Sequence, residues 1–164
     1  MFAKKFFILF ILIIFSFDVS AITPRSTGKY KNWESFVVET DKGKICFAQT
    51  IPTKRAPAAV KRDKSKLFVT FRPSEEIKDE VSITSGHDYK TSSVSASSGK
   101  RKYSFFSQKN FAWLLDDQEE QKFIKLMKKA TSVIVKARTV KGAETTDHYS
   151  MMGFTKAYNT AKKA

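Results

Sequence analysis

Two histidines and one cysteine are what this chain of 164 residues offers for chemistry beyond its carboxylates, hydroxyls and amines. His87 lies in Gly86-His87-Asp88, a turn sequence, and reads as an exposed loop histidine. His148 follows Asp147 in a strand pattern, where successive side chains point to opposite faces, so Asp147 is badly placed to orient its ring. No nucleophile-elbow sequence accompanies either histidine, although a Ser–His–Asp site brought together by the fold stays open. Two histidines and one cysteine make no zinc-ligand spacing. Asp116, Asp117, Glu119 and Glu120 crowd a helix start, where capping and the helix dipole account for them. No glycine-rich phosphate loop is present. These residue types predict a protein that is not an enzyme and carries no cofactor or metal.

Cys46 is the single cysteine, so no disulfide can form within the chain as given. It sits inside an apolar strand pattern, which favours burial as a small hydrophobe; redox activity or pairing with another chain is the alternative. The other chemistry on offer is charge. The net charge is +14, and a surplus of that size attracts anionic partners or, more simply, keeps a small lysine-rich protein soluble. The densest basic run is Pro52 to Lys64, with Lys54, Arg55, Lys61, Arg62 and Lys64 against Asp63 alone. Its prolines remove ladder donors and make it a loop or a sheet edge. Lys54, Arg55, Lys61 and Arg62 are therefore the candidate partner contact.

The elements that must position these groups are mostly strands. Trp33–Glu39 and Lys44–Ile51 flank the turn Thr40-Asp41-Lys42-Gly43 and predict a hairpin. Lys66–Phe71, Glu80–Thr84, Lys102–Phe106 and Phe111–Leu115 follow, with turn residues between them and only a weak signal around Val94. One helix interrupts the series, with Phe123, Ile124, Leu126 and Met127 as its apolar stripe. Val133, Val135 and Ala137 alternate with Ile134, Lys136 and Arg138. Lys141-Gly142 then supplies a turn and Thr145–Ser150 a return strand. A second short helix spans 153–163, with Phe154, Ala157, Tyr158 and Ala161 on one face. Such spacing predicts a mainly β, sandwich-like single domain with one central helix and a short C-terminal one. The aromatic residues fall on strand faces, where a core explains them. Lysine–phenylalanine alternation around Lys102–Phe111 resembles a single-stranded nucleic-acid platform, but no motif supports it, so nucleic acid is not the expected partner.

Met1–Lys5 carries a positive start, Phe6–Phe15 is uninterruptedly apolar, and Val19-Ser20-Ala21 offers a small-residue exit. These are the parts of a secretory signal peptide. The run is short of the roughly 20 apolar residues that spanning requires, so cleavage after Ala21 is expected over an uncleaved anchor, with no transmembrane segment thereafter. The division expected is 1–21 signal peptide, 22–31 flexible polar entry segment and 32–164 folded domain.

Several short words in a fixed order resemble the invasion-associated locus B family of exported alphaproteobacterial proteins. They are Lys44-Ile45-Cys46-Phe47-Ala48 with Pro52-Thr53-Lys54, Val60-Lys61-Arg62-Asp63, Val69-Thr70-Phe71-Arg72-Pro73, Glu80-Val81-Ser82 with Gly86, and Ala112-Trp113-Leu114. The strongest is Thr145-Thr146-Asp147-His148-Tyr149-Ser150 with Gly153-Phe154 and the alanine-rich tail. The resemblance covers about residues 32–164. It implies a small, mostly β protein of the periplasm or outer envelope, linked to host-cell invasion, with no catalytic residues to carry over. Family members usually end in a cysteine close after the final helix, a plausible partner for the one matching Cys46, and this chain stops at Ala164 without it.

Together these features predict an exported, non-enzymatic envelope or virulence-associated protein that contacts an anionic or host-surface partner. The alternative is a periplasmic envelope-maintenance or ligand-binding module with no direct host role. A hydrolase would depend on His87 or His148.

Overall fold

Strands with one aliphatic face need a second layer to cover that face, and here a single sheet supplies both layers by folding back on itself. The computed structural model describes residues 23–164; the signal-peptide reading of 1–21 lies outside the described residues. The first half of the sheet comprises β1 (Arg25–Tyr30), β2 (Trp33–Thr40), β3 (Gly43–Thr50), β5 (Lys66–Arg72), β6 (Ile77–Thr84) and β9 (Phe111–Trp113). The second comprises β4 (Lys54–Ala56), β7 (Val94–Ser98), β8 (Arg101–Gln108), β10 (Ser132–Arg138) and β11 (Glu144–Ser150). Among the described residues, two α-helices, α1 (Asp117–Lys129) and α2 (Phe154–Lys163), accompany the sheet. All pairings are antiparallel, in the order β1-β2-β3-β5-β6-β9-β8-β7-β10-β11-β4.

The two ends of the sheet meet. Trp33 at the start of β2 donates its indole N–H to the Ser150 carbonyl at the end of β11 at 2.9 Å. Asn32 N–H bonds Met152 O at 3.2 Å, and Thr53 N–H bonds His148 O at 2.8 Å. Buried aliphatic side chains from both halves join with both helices in one core. Phe123 of α1 takes Tyr103 and Phe105 edge-on at centroid distances of 5.0 and 5.6 Å, and Phe154 of α2 packs on Trp33 at 4.7 Å. The mainly β single domain expected from the sequence is the fold observed. Among the described residues, no helix is long and apolar enough to cross a membrane.

The local signals place most elements. The last hairpin is in uninterrupted register from Ser132↔Ser150 to Arg138↔Glu144. Asp116 caps α1, its carboxylate accepting from Glu119 N–H at 2.9 Å. Asp116→Ala is expected to cost about 1 kcal/mol, because that N–H loses its acceptor; urea denaturation followed by circular dichroism measures it.

The entry segment differs from expectation. Within 22–31, read as flexible, Arg25–Tyr30 is a strand paired to β2, with Tyr30 opposite Trp33. Its polar side chains hide it from a hydropathy reading, yet long-range contacts hold it. The Tyr30 and Thr160 hydroxyls lie 2.9 Å apart. Gly153 passes so close to the Tyr30 carbonyl that a Cβ would lie 1.8 Å from its oxygen.

Candidate functional site

Period-two alternation sends Cys46, Ala48, Leu67, Val69, Val81 and Ala112 into the core. The residues between them on β2, β3, β5, β9 and β8 therefore face outward, and they include Phe36, Phe47, Phe68, Phe111, Trp113 and Phe106. Phe106 is exposed and the other five are partly so. Strand register sets Phe36 opposite Phe47 and Phe106 opposite Trp113. Ser82 of β6 lies between Phe68 on one side and Trp113 on the other. The rings form a continuous row: Phe36–Phe47 at 5.2 Å, Phe47–Phe68 at 6.2 Å, Phe68–Phe111 at 6.5 Å, Phe111–Trp113 at 5.9 Å and Trp113–Phe106 at 5.5 Å. For these six the assignment of strand aromatics to the core is corrected, whereas Trp33, Phe71, Phe105 and Tyr149 do lie in it. Apolar residues on both faces of successive strands, small or aliphatic on one and aromatic on the other, were the available signal.

The row frames a groove of about 340 Å³. Phe47, Phe68, Phe111 and Trp113 line it, together with the small hydroxyl residues Thr70 and Ser82, and Arg72 and Glu80. A second hollow of about 390 Å³ shares Glu80 and Trp113 and continues past Phe106 and Gln108 to Glu120 at the start of α1. Arg72 donates through both terminal nitrogens to Glu80, at 3.1 and 2.9 Å, and through Nε to Glu75 at 3.0 Å. The Glu80 hydrogen bond is the main reason its pKa is raised, so this guanidinium is held in place and its charge compensated. Lys66 Nζ stands 5.7 Å over the Phe68 ring.

Glu120 is buried and accepts Val81 N–H at 3.0 Å. Burial pushes its carboxyl up to about 7; the Val81 N–H opposes the shift, and the nearby carboxylates of Glu80, Asp117 and Asp79 add to it. Asp79 is itself buried, accepting from the Tyr158 hydroxyl and the Gln121 amide.

The basic loop does not form one contact surface. Lys54 and Lys61 are exposed, but the Arg62 side chain is only 2 % exposed and grips Asp147 with both terminal nitrogens, at 2.6 and 2.7 Å. It also donates to Ser65 Oγ and Ser85 O, at 3.1 and 3.0 Å. Arg55 lies between these extremes, donating to the Asp63 carbonyl with its Nε 4.0 Å from Asp147. Arg62 is thus withdrawn from the candidate contact: a charge so placed is compensated inside the protein. Beside the pair, the Tyr149 phenol is held well above its ordinary value, by burial first and by the Asp147 charge second.

The remaining candidates lie apart from the groove. Asp147 and His148 point to opposite faces, Asp147 inward. His87 is half-buried rather than fully exposed, with Nε2 2.9 Å from Thr145 Oγ1 and its ring edge-on to Tyr89. Cys46 is free and buried, and burial pushes its thiol up, away from the reactive thiolate. Lys44, on the same strand, reaches Ala164 O at 3.1 Å. Among the described residues, no group of three or more histidine, cysteine or acidic side chains is arranged to hold a metal.

No family model matches the chain, and neither a curated protein nor a solved structure does.

Proposed function

We propose that this protein is a non-catalytic binding module, exported to the bacterial envelope, that engages its partner through the outward aromatic face and not through the basic loop. The observation that carries this reading is the unbroken row of six rings on the outer face of the sheet. A contiguous apolar surface, here one exposed ring and five partly exposed ones, is the kind that marks an interaction site. Export rests on the N-terminal sequence, and any link to host-cell invasion rests on the resemblance to the locus B family. Either role would act through the same face.

The test measures binding of labelled protein to isolated envelopes of the source cell. Each lost ring is worth roughly 0.5–1.5 kcal/mol. The Phe68→Ala/Trp113→Ala pair is therefore expected to weaken binding about tenfold or more, while Lys54→Glu/Lys61→Glu changes it less than about threefold. Circular dichroism checks that both variants fold. The opposite ranking would return the function to the basic loop.

A further inference from the structure

Resting on the reading of the aromatic face as the binding surface, we propose that its ligand is a neutral, extended, β-linked glycan chain laid across the strands. Sugar rings present flat C–H faces rimmed by hydroxyls. A site for them needs aromatic surfaces and fixed polar groups side by side. The groove has both: Phe47, Phe68, Phe111 and Trp113 line it, the hydroxyl residues Thr70 and Ser82 lie among them, and the Arg72–Glu80 pair stands alongside. A largely apolar lining with a few placed polar groups is the usual composition of a small-ligand site.

Charge decides against the other occupants. Arg72 is already committed to Glu80 and Glu75, and the adjoining hollow ends at the carboxyl of Glu120. An anionic polymer laid here would meet Glu80 and the guanidinium it already compensates, although the chain as a whole carries +14. Lys66 Nζ does stand 5.7 Å over Phe68, so heparin is the stringent comparator. A second copy of the chain would bring the same large positive charge, and the two would repel. Length decides the form of the glycan. The row runs from β2 to β8 through β3, β5, β6 and β9, five interstrand steps of about 4.8 Å, or about 24 Å. An extended ribbon of several sugars can follow such a row, and a coiled α-glucan would leave it.

The chain contains two tryptophans; Trp33 is fully buried and Trp113 lines the groove, so intrinsic fluorescence reports on the site. Full-length mature protein is titrated with chitohexaose and cellohexaose, with maltohexaose and a heparin oligosaccharide as comparators. The expected result is a saturable change in emission with at least one β-linked hexasaccharide and a weaker response to both comparators. Phe68→Ala should weaken that binding about tenfold. Trp113→Phe should abolish the optical signal while calorimetry still detects the sugar. No saturable binding of either β-linked sugar, or tighter binding of heparin, overturns the inference. So does a concentration-dependent dimer that Phe68→Ala/Trp113→Ala dissolves. If that pair still reduces envelope binding when no neutral glycan binds, the glycan assignment alone has failed. If the pair leaves envelope binding intact, the aromatic face is not the binding surface and both readings fall.

Discussion

Replacing Arg62 with methionine is expected to destabilise the domain by about 3–5 kcal/mol, the cost of stranding a buried charge. Asp147 is 1 % exposed and its two carboxylate oxygens accept from Arg62 at 2.6 and 2.7 Å. With the guanidinium gone, the nearest replacement is Arg55, whose Nε is 4.0 Å away on a partly exposed side chain. It can only partly compensate, which points to the lower end of the range. Arg62→Lys keeps the charge but not the two-pronged geometry, so it should fall between methionine and wild type. The double variant Arg62→Met/Asp147→Leu should recover much of the loss, since removing both charges removes the desolvation cost as well. Lys54→Glu and Lys61→Glu, made on exposed side chains, should each stay within about 0.5 kcal/mol. Urea denaturation at neutral pH separates these cases. An Arg62→Met loss below about 1 kcal/mol, comparable to a single exposed hydrogen bond, would contradict the buried pair.

Both arginines of that loop look alike in the sequence, and what separates them is a residue 85 positions away from Arg62. Local patterning reaches neighbours along the chain, so it places the β2–β3 and β10–β11 hairpins, the Asp116 cap and the apolar stripes of both helices. It reads the stretch holding Pro52 and Pro57 as a loop or a sheet edge, and β4 there is a three-residue edge strand. Patterning fails where an element is held from outside itself. Arg25–Tyr30 has almost no apolar content and is a strand because β2 offers a ladder and Gly153 leaves room for Tyr30. The aromatic groove was hidden for a different reason. When both faces of a strand are apolar, alternation shows that Phe47 and Cys46 differ in direction, but not which direction is inward. Which face the other half of the sheet and the two helices cover decides that, and this packing is a long-range fact.

The second large effect belongs to Glu120 and depends on pH. In the unfolded chain its carboxyl titrates near the ordinary value of 4.5, and in the folded protein burial holds it near 7. The folded state therefore binds the proton more tightly. The stability associated with this group is fully present below about 4.5 and is lost as pH rises through about 7. The groups that face it explain the direction: Glu80 and Asp79 from β6 and Asp117 from its own helix are all acidic, and the Val81 N–H is the hydrogen bond that opposes them. Glutamine at 120 can still accept that N–H through its amide oxygen and carries no charge at any pH. Glu120→Gln should match wild type near pH 4.5 and be more stable by about 2–3 kcal/mol at pH 8, given about 1.4 kcal/mol per pKa unit. Titrating groups away from it act on both proteins alike, so the difference between their urea-denaturation free energies at each pH reports residue 120 together with its coupling to Glu80, Asp79 and Asp117. A difference that does not change between pH 4.5 and pH 8 would mean that Glu120 ionises as freely in the fold as in water. The Glu120 end of the groove would then be fully charged at neutral pH, and any ligand crossing it would have to tolerate that carboxylate.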